Sequence, residues 1–272
     1  MHLTVQNVRL TLPDWLDRFI YNDLKGIYCR SNEDMTVIDW DKSDVLKYLG
    51  TYFPRSYTEA YCIFSHYMKV VNPYEHKTEL SIFDFGCGTG GEIIGTITAL
   101  IEQNPTLEHI HIVALDGNCH ALKIYAKILD KFSTRTSVEI TSQVVYLTID
   151  DIYDLSVLNQ VLDQKFDIVL SFKAICEFIS KQRFEKVNAY THIAKFFLPR
   201  IHKDGILLLA DVTTFNQASH EWLPRMMDDG LGEAECNVVA RNSGYNQTFF
   251  VTHSRKREDM SKIAWRLILN HK

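Results

Sequence analysis

The hydrophobic pattern of the chain changes period repeatedly, from about two residues to about 3.6, as expected where strands alternate with helices. Ile82, Phe83 and Phe85 close one apolar run, and from Glu92 onward Ile93, Ile94, Ile97, Leu100 and Ile101 stand at helical spacing until Asn104-Pro105. Residues 109–116 predict a second buried strand. Residues 118–132 predict a helix with Leu122, Tyr125, Ile128 and Leu129 inward, and 132–137 a loop. Strands are expected again at 144–149, 166–172 and 204–212, with a segment over 152–162 for which Asp150 or Asp151 is a candidate N-cap, and a long helix over 181–199.

The ends of the chain read differently. Residues 1–12 alternate loosely through Leu3, Val5, Val8 and Leu10, which fits a short strand. Helices follow from Asp14 (Trp15, Phe19, Ile20, Leu24), from near Asp41 or Ser43 (Val45, Leu46, Leu49), and over 56–71. Residues 1–78 are therefore expected to form a helical N-terminal extension, or cap, and 79–272 the main domain. After a polar stretch at 213–222, the runs 236–241 and 247–253 flank Asn242-Ser-Gly244 and predict an antiparallel hairpin. A final helix is expected over 258–269. The fold class is α/β: a doubly wound, mostly parallel sheet with a C-terminal antiparallel hairpin.

Composition narrows this only slightly. With 46% hydrophobic and 23% charged residues the chain has the make-up of an ordinary globular protein. No apolar run approaches a membrane span, and the N-terminus lacks a signal-peptide pattern. The six cysteines are scattered without a C-x-x-C, so neither a metal site nor a disulfide framework is expected, and a cytoplasmic setting is. A net charge of −5 argues against an extensive nucleic-acid surface.

The chemistry concentrates at Asp84-Phe-Gly-Cys-Gly-Thr-Gly-Gly91. A strand, a glycine turn and a helix bring backbone N–H groups close to the polar end of a cofactor. Gly86, Gly88 and Gly91 also satisfy G-x-G-x-x-G, the dinucleotide fingerprint. Asp116, 25 residues beyond Gly91, stands where a strand-end carboxylate accepts ribose hydroxyls. Asp84 ahead of Gly-x-Gly-x-Gly resembles motif I of the class I, Rossmann-like S-adenosylmethionine-dependent methyltransferases. The resemblance extends in order through Asp116, Asp150-Asp151, the strand ending at Ser171-Phe172 and the terminal hairpin.

That resemblance implies S-adenosyl-L-methionine as cofactor, held by Asp84, Gly86, Cys87, Gly88, Gly90, Asp116, Gly117, Ser171 and Phe172. It also implies an adenine contact from Asp150 or Asp151, between which spacing does not choose. The Asn/Asp-Pro-Pro-aromatic and Pro-Cys signatures of particular acceptor chemistries are absent after the fourth strand. Tyr48, Tyr52, Tyr57 and Tyr61, with Arg55, crowd a short stretch ahead of the glycine turn and are expected to roof the pocket. Its order also resembles methyltransferase-like proteins associated with the small ribosomal subunit, whose cysteine cluster is missing here. Tyr52, Arg55, Tyr57, Tyr61, Lys173 and Glu177 are candidate acceptor contacts, and His220, Tyr57 and Lys173 candidate catalytic groups. The acceptor is a small molecule or RNA, with the charge favouring the former, and transfer is to nitrogen or oxygen. Nothing in the sequence sets the oligomeric state. Two alternatives stay open: an NAD(P)-dependent oxidoreductase, and a non-catalytic relative binding an RNA-containing assembly.

Overall fold

A computed structural model of the protein describes Val5 and residues 8–29, 41–181, 188–217 and 219–271. Leu3 and residues 182–187, for which a strand and part of a helix are expected, lie outside these.

The strands are β1 (Arg9–Thr11), β2 (Glu79–Phe85), β3 (His109–Asp116), β4 (Glu139–Tyr146), β5 (Phe166–Phe172), β6 (Ile201–Val212), β7 (Phe215–Asn216), β8 (Glu221–Trp222), β9 (Val238–Arg241), β10 (Gln247–His253) and β11 (Lys256–Leu269). The helices are α1 (Asp14–Arg18), α2 (Lys42–Thr51), α3 (Phe53–Val70), α4 (Gly91–Gln103), α5 (Cys119–Ser133), α6 (Ile175–Lys181), α7 (Ala189–Phe197) and α8 (Leu223–Glu233). Among the described residues the main sheet runs β1-β10-β11-β6-β5-β2-β3-β4, with β9 also on β11. The β6-β5-β2-β3-β4 ladder is parallel throughout. β11 is antiparallel to both β6 and β10. One strand is reversed inside an otherwise parallel doubly wound sheet, with the crossover at β2/β5, the arrangement that the resemblance to class I methyltransferases implies. No helix among the described residues is long and apolar enough to cross a membrane.

Each sheet face has its own core. Ile82, Ile110, Ile112 and Ile168 face α3, α4 and α5, whereas Phe83, Phe85, Val113 and Val169 face α7 and α8. Residues before position 78 share the first of these cores: Phe53, Ala60, Phe64 and Tyr67 of α3 are all buried in it. The α3–α4 contact is backbone on backbone. A Cβ on Gly91 would stand 2.6 Å from the Phe53 carbonyl oxygen, and one on Gly95 would fall on that of Tyr57.

Four expectations are corrected. The C-terminal stretch 258–269 is not a helix but most of β11. Ile263 to Ile268 is buried without a break because β6 and β9 flank it in the sheet, and a short run that is apolar but for Arg266 does not declare its period. The runs 236–241 and 247–253 do not pair with each other. Both lie along the same edge of β11, and the hairpin is β10–β11. The turn residues between them mark an interruption, where Asn242 accepts from the Trp265 N–H and the Arg266 guanidinium. β4 begins at Glu139 rather than 144: its polar half, Glu-Ile-Thr-Ser-Gln, belongs to an edge strand that faces water. Of the long helix expected over 181–199, the described part is α7, which begins after an extended Asn188, while α6 starts earlier than expected, at Ile175. The sequence pattern also missed α8, whose glycines Gly230 and Gly232 look like helix breakers. Gly230 is there for contact, since its Cβ would lie 2.6 Å from Asn188 Oδ1.

Candidate active site

The C-terminal ends of β2, β3 and β5 open on one cleft, the place where parallel sheets of this kind bind ligands. Gly86 (φ +76°), Gly88 (φ +50°) and Gly90 (φ +83°) carry the chain in left-handed turns from β2 into α4, conformations that disfavour other residues. Gly86 and Gly88 line the cleft; Gly90 lies behind, against the Tyr125 ring. Opposite them stands Asp116, at the end of β3. Its two carboxylate oxygens accept the N–H groups of Gly88 and Asn118, each at 2.7 Å. Burial raises its pKa, and those two backbone bonds oppose the rise.

Beneath the loop lies an acidic layer. Asp84 is fully buried, and neither of its carboxylate oxygens has a hydrogen-bond partner. Glu92, on the first turn of α4, is also buried. Burial pushes both carboxyls well above the usual range, with repulsion from Asp116 added at Asp84 and from Asp84 at Glu92. An orphaned acid under a glycine turn at a helix N-terminus is a standing acceptor for a cationic group brought to that turn.

The far wall is apolar. Leu115, Leu147, Ile149 and Phe172 line it, with Thr148 and Gly117 between them. Asp150 and Asp151 are not part of it. Both are exposed, and Asp151 accepts the Tyr153 N–H at 2.9 Å in a local turn. Because β4 ends at Tyr146, the cleft receives 147–149, and the acids fall beyond it.

At the end of β5, Lys173 takes φ +56°. Its N–H bonds to the Ala210 carbonyl at 2.7 Å. Its Nζ reaches Glu59 Oε2 at 2.6 Å and Ser56 Oγ at 3.1 Å on α3. Glu59 is fully buried and also accepts the Ser261 hydroxyl. Lys173, Glu177 and Phe178 line the cleft on this side, and the half-buried Tyr48 closes it from α2.

Several residues predicted for the site stand elsewhere. Tyr57 is buried between α3 and α4, and the Tyr61 hydroxyl donates to Glu102 at 2.6 Å on the outer side of that pair. Arg55 forms a two-pronged ion pair with Asp259 of β11, at 2.7 and 2.8 Å. Tyr52 stacks on Tyr48 with ring centroids 5.2 Å apart and does not line the cleft itself. Ser171 and Cys87 point into the interior, and burial pushes the Cys87 thiol well up. His220 sits exposed on the β7–β8 turn, edge-on to Phe215, and does not line the cleft. Tyr48 belonged to the tyrosine cluster but not to the predicted contacts, because helical spacing alone does not say which face of a tyrosine-rich stretch turns inward. No cluster of potential metal ligands occurs among the described residues.

Fold and cleft together define a Rossmann-like architecture with a glycine loop, a strand-end acid and an apolar wall. No protein-family model matches the sequence, and no curated protein matches it. Among solved structures the chain is similar to an S-adenosylmethionine-dependent methyltransferase from Aquifex aeolicus, at 12% identity over 85% of this chain and 100% of that one (TM-score 0.46). It is also similar to a putative RNA methyltransferase from Pyrococcus horikoshii, at 14% identity over 78% and 82% (TM-score 0.45). A third is a cyclopropane synthase from Mycobacterium tuberculosis, at 14% identity over 85% and 74% (TM-score 0.44).

Proposed function

We propose that the protein is an S-adenosylmethionine-dependent methyltransferase acting on a nitrogen or oxygen nucleophile. The observation that carries this reading is the meeting of the Gly86–Gly88 turn and the Asp116 carboxylate on one apolar-walled cleft, above the orphaned acid Asp84. The residues suit such a donor. Gly86 and Gly88 admit close approach of a ligand, Asp116 accepts ribose hydroxyls, and Leu147, Ile149 and Phe172 flank a purine. A cation at the donor's aminoacyl end would relieve the burial of Asp84 and Glu92 by stabilising their charged forms.

The donor brings an already activated methyl group, so the chain's work is alignment and exclusion of water. Lys173, Glu177 and Phe178 face the acceptor side. The Lys173 Nζ is committed to Glu59 and Ser56 of α3, which holds it away from the role of a base toward the acceptor. The reading therefore favours an acceptor that needs no strong base, such as a neutral amine or a phenolate. The net charge of −5 supports a small molecule over RNA.

Calorimetric titration with S-adenosylhomocysteine and, separately, NADH tests the reading. Micromolar binding of the first alone, lost in Asp116→Ala, is expected. NADH binding in its place would replace the methyltransferase with an oxidoreductase. Binding of neither would favour a non-catalytic relative of the fold.

A further inference from the structure

Gly88 has no side chain, yet the space above it is filled from within the protein. A ring carbon and the hydroxyl oxygen of Tyr48 both stand 3.2 Å from the point that a Cβ on Gly88 would occupy. What stays open beside Tyr48 is a cavity of about 80 Å³. That is smaller than the roughly 150 Å³ void that accommodates a benzene molecule. The Tyr48 ring covers the loop at Gly88, where a ligand's polar arm would otherwise approach the backbone.

The ring is held in place. It stacks on Tyr52 one helical turn later, at 5.2 Å and 24° between planes. α2 beneath it is fixed to the preceding segment: the Ile27 N–H bonds to the Leu46 carbonyl at 2.8 Å, and the Cys29 N–H to Thr51 Oγ1 at 2.9 Å. A Cβ on Gly50 would fall on the Ile27 backbone, so helix and segment are in direct backbone contact. α2 cannot slide aside alone. The Tyr48 side chain can turn off the loop only by leaving Tyr52.

We propose that Tyr48 is a built-in plug of the donor site: it occupies the place above Gly88 that the donor's aminoacyl arm takes, and donor loading requires its displacement from the Tyr52 stack. The inference rests on the methyl-donor reading of the cleft and adds a gate to it. It implies that the binding-competent form is a minor part of the unliganded population, so that apparent affinity is reduced by that fraction. It also ties donor occupancy to the position of an aromatic side chain on the roof, which opens the acceptor side only when donor is present.

Stopped-flow and calorimetric binding of S-adenosylhomocysteine to wild type, Tyr48→Ala, Tyr48→Phe and Tyr52→Leu tests this, with melting curves to confirm that each variant is folded. In wild type the observed rate should reach a plateau with ligand concentration, set by the opening step. Tyr48→Ala should bind tighter, on the order of tenfold, with no plateau. Tyr52→Leu should shift in the same direction, and Tyr48→Phe should retain the plateau. Equal or weaker binding by both Tyr48→Ala and Tyr52→Leu would overturn the plug while leaving the donor site standing. Absence of binding by all four proteins would remove the donor reading and the plug together, whereas binding by Tyr48→Ala alone would be its strongest support.

Discussion

The Asp116 carboxylate accepts the Gly88 N–H at 2.7 Å, so the acid at the end of β3 also shapes the loop that leaves β2. One side chain thus links the neighbouring ends of β2 and β3, next to the β2/β5 crossover where the sheet reverses its winding. Asp116→Ala should remove a ligand acceptor and leave the Gly88 and Asn118 N–H groups without their partner. A loss of donor affinity of at least about tenfold is expected, together with a stability loss of about 1–3 kcal/mol. Calorimetry and thermal melting read the two separately.

Lys173 and Glu59 form a second such link, between β5 and α3, with Glu59 fully buried. Removing one partner of a buried pair strands the other charge. Lys173→Met should therefore cost about 3–5 kcal/mol, and Lys173→Met with Glu59→Gln clearly less than the sum of the two single changes. Equal additivity in denaturant titration would contradict the linkage.

Two buried aspartates give opposite pH signatures. Asp211 accepts the Tyr190 hydroxyl at 2.9 Å and the Cys176 N–H at 3.3 Å, and burial raises its pKa to about 6. A carboxyl raised on folding contributes stability that is full below its unfolded value and is lost as pH rises through the folded one. Asp211→Asn should therefore fare better relative to wild type at pH 8 than at pH 4, in paired melting curves.

Asp259 behaves in the reverse sense. Burial would raise it, but the nearby His253 ring, 3.7 Å away, and the two-pronged bonds from Arg55 outweigh burial and hold it well below the usual carboxylate range. Its contribution is present above the unfolded value of about 3.9 and is lost as pH falls below it. Arg55→Met should move acid unfolding to higher pH, by fluorescence or circular dichroism.

Gly95 tests the seam between α3 and α4. Its added Cβ would meet the Tyr57 carbonyl, part of a helix backbone that cannot rotate away. Gly95→Ala should destabilise by about 1–3 kcal/mol despite alanine's better helix propensity. A gain in melting temperature would contradict the close contact.

The parallel part of the fold was legible because its signals agree. Ile82 to Phe85, the glycine turn and the 3.6-residue spacing from Ile93 to Ile101 each point to strand, loop and helix in that order. β11 was not legible: Ile263 to Ile268 is buried on both faces of a central strand, with Arg266 its one charged residue, and a buried helix would look the same. In the site, Gly86, Gly88, Asp116 and Phe172 were readable from position in the motif. Tyr48 and residues 147–149 were not, since their presence depends on where α2 lies and where β4 stops. Arg55, Tyr57 and Tyr61 carry suitable chemistry but point into helix and strand contacts, which composition does not reveal.

Hydrogen–deuterium exchange with and without saturating S-adenosylhomocysteine tests the central claim most directly, because it reports where the ligand sits. Slower exchange confined to residues 86–90, 115–118 and 147–149, and absent in Asp116→Ala, is the expected result. Unchanged exchange at the glycine loop, or protection at the opposite end of the sheet, would contradict the placing of a methyl donor in this cleft.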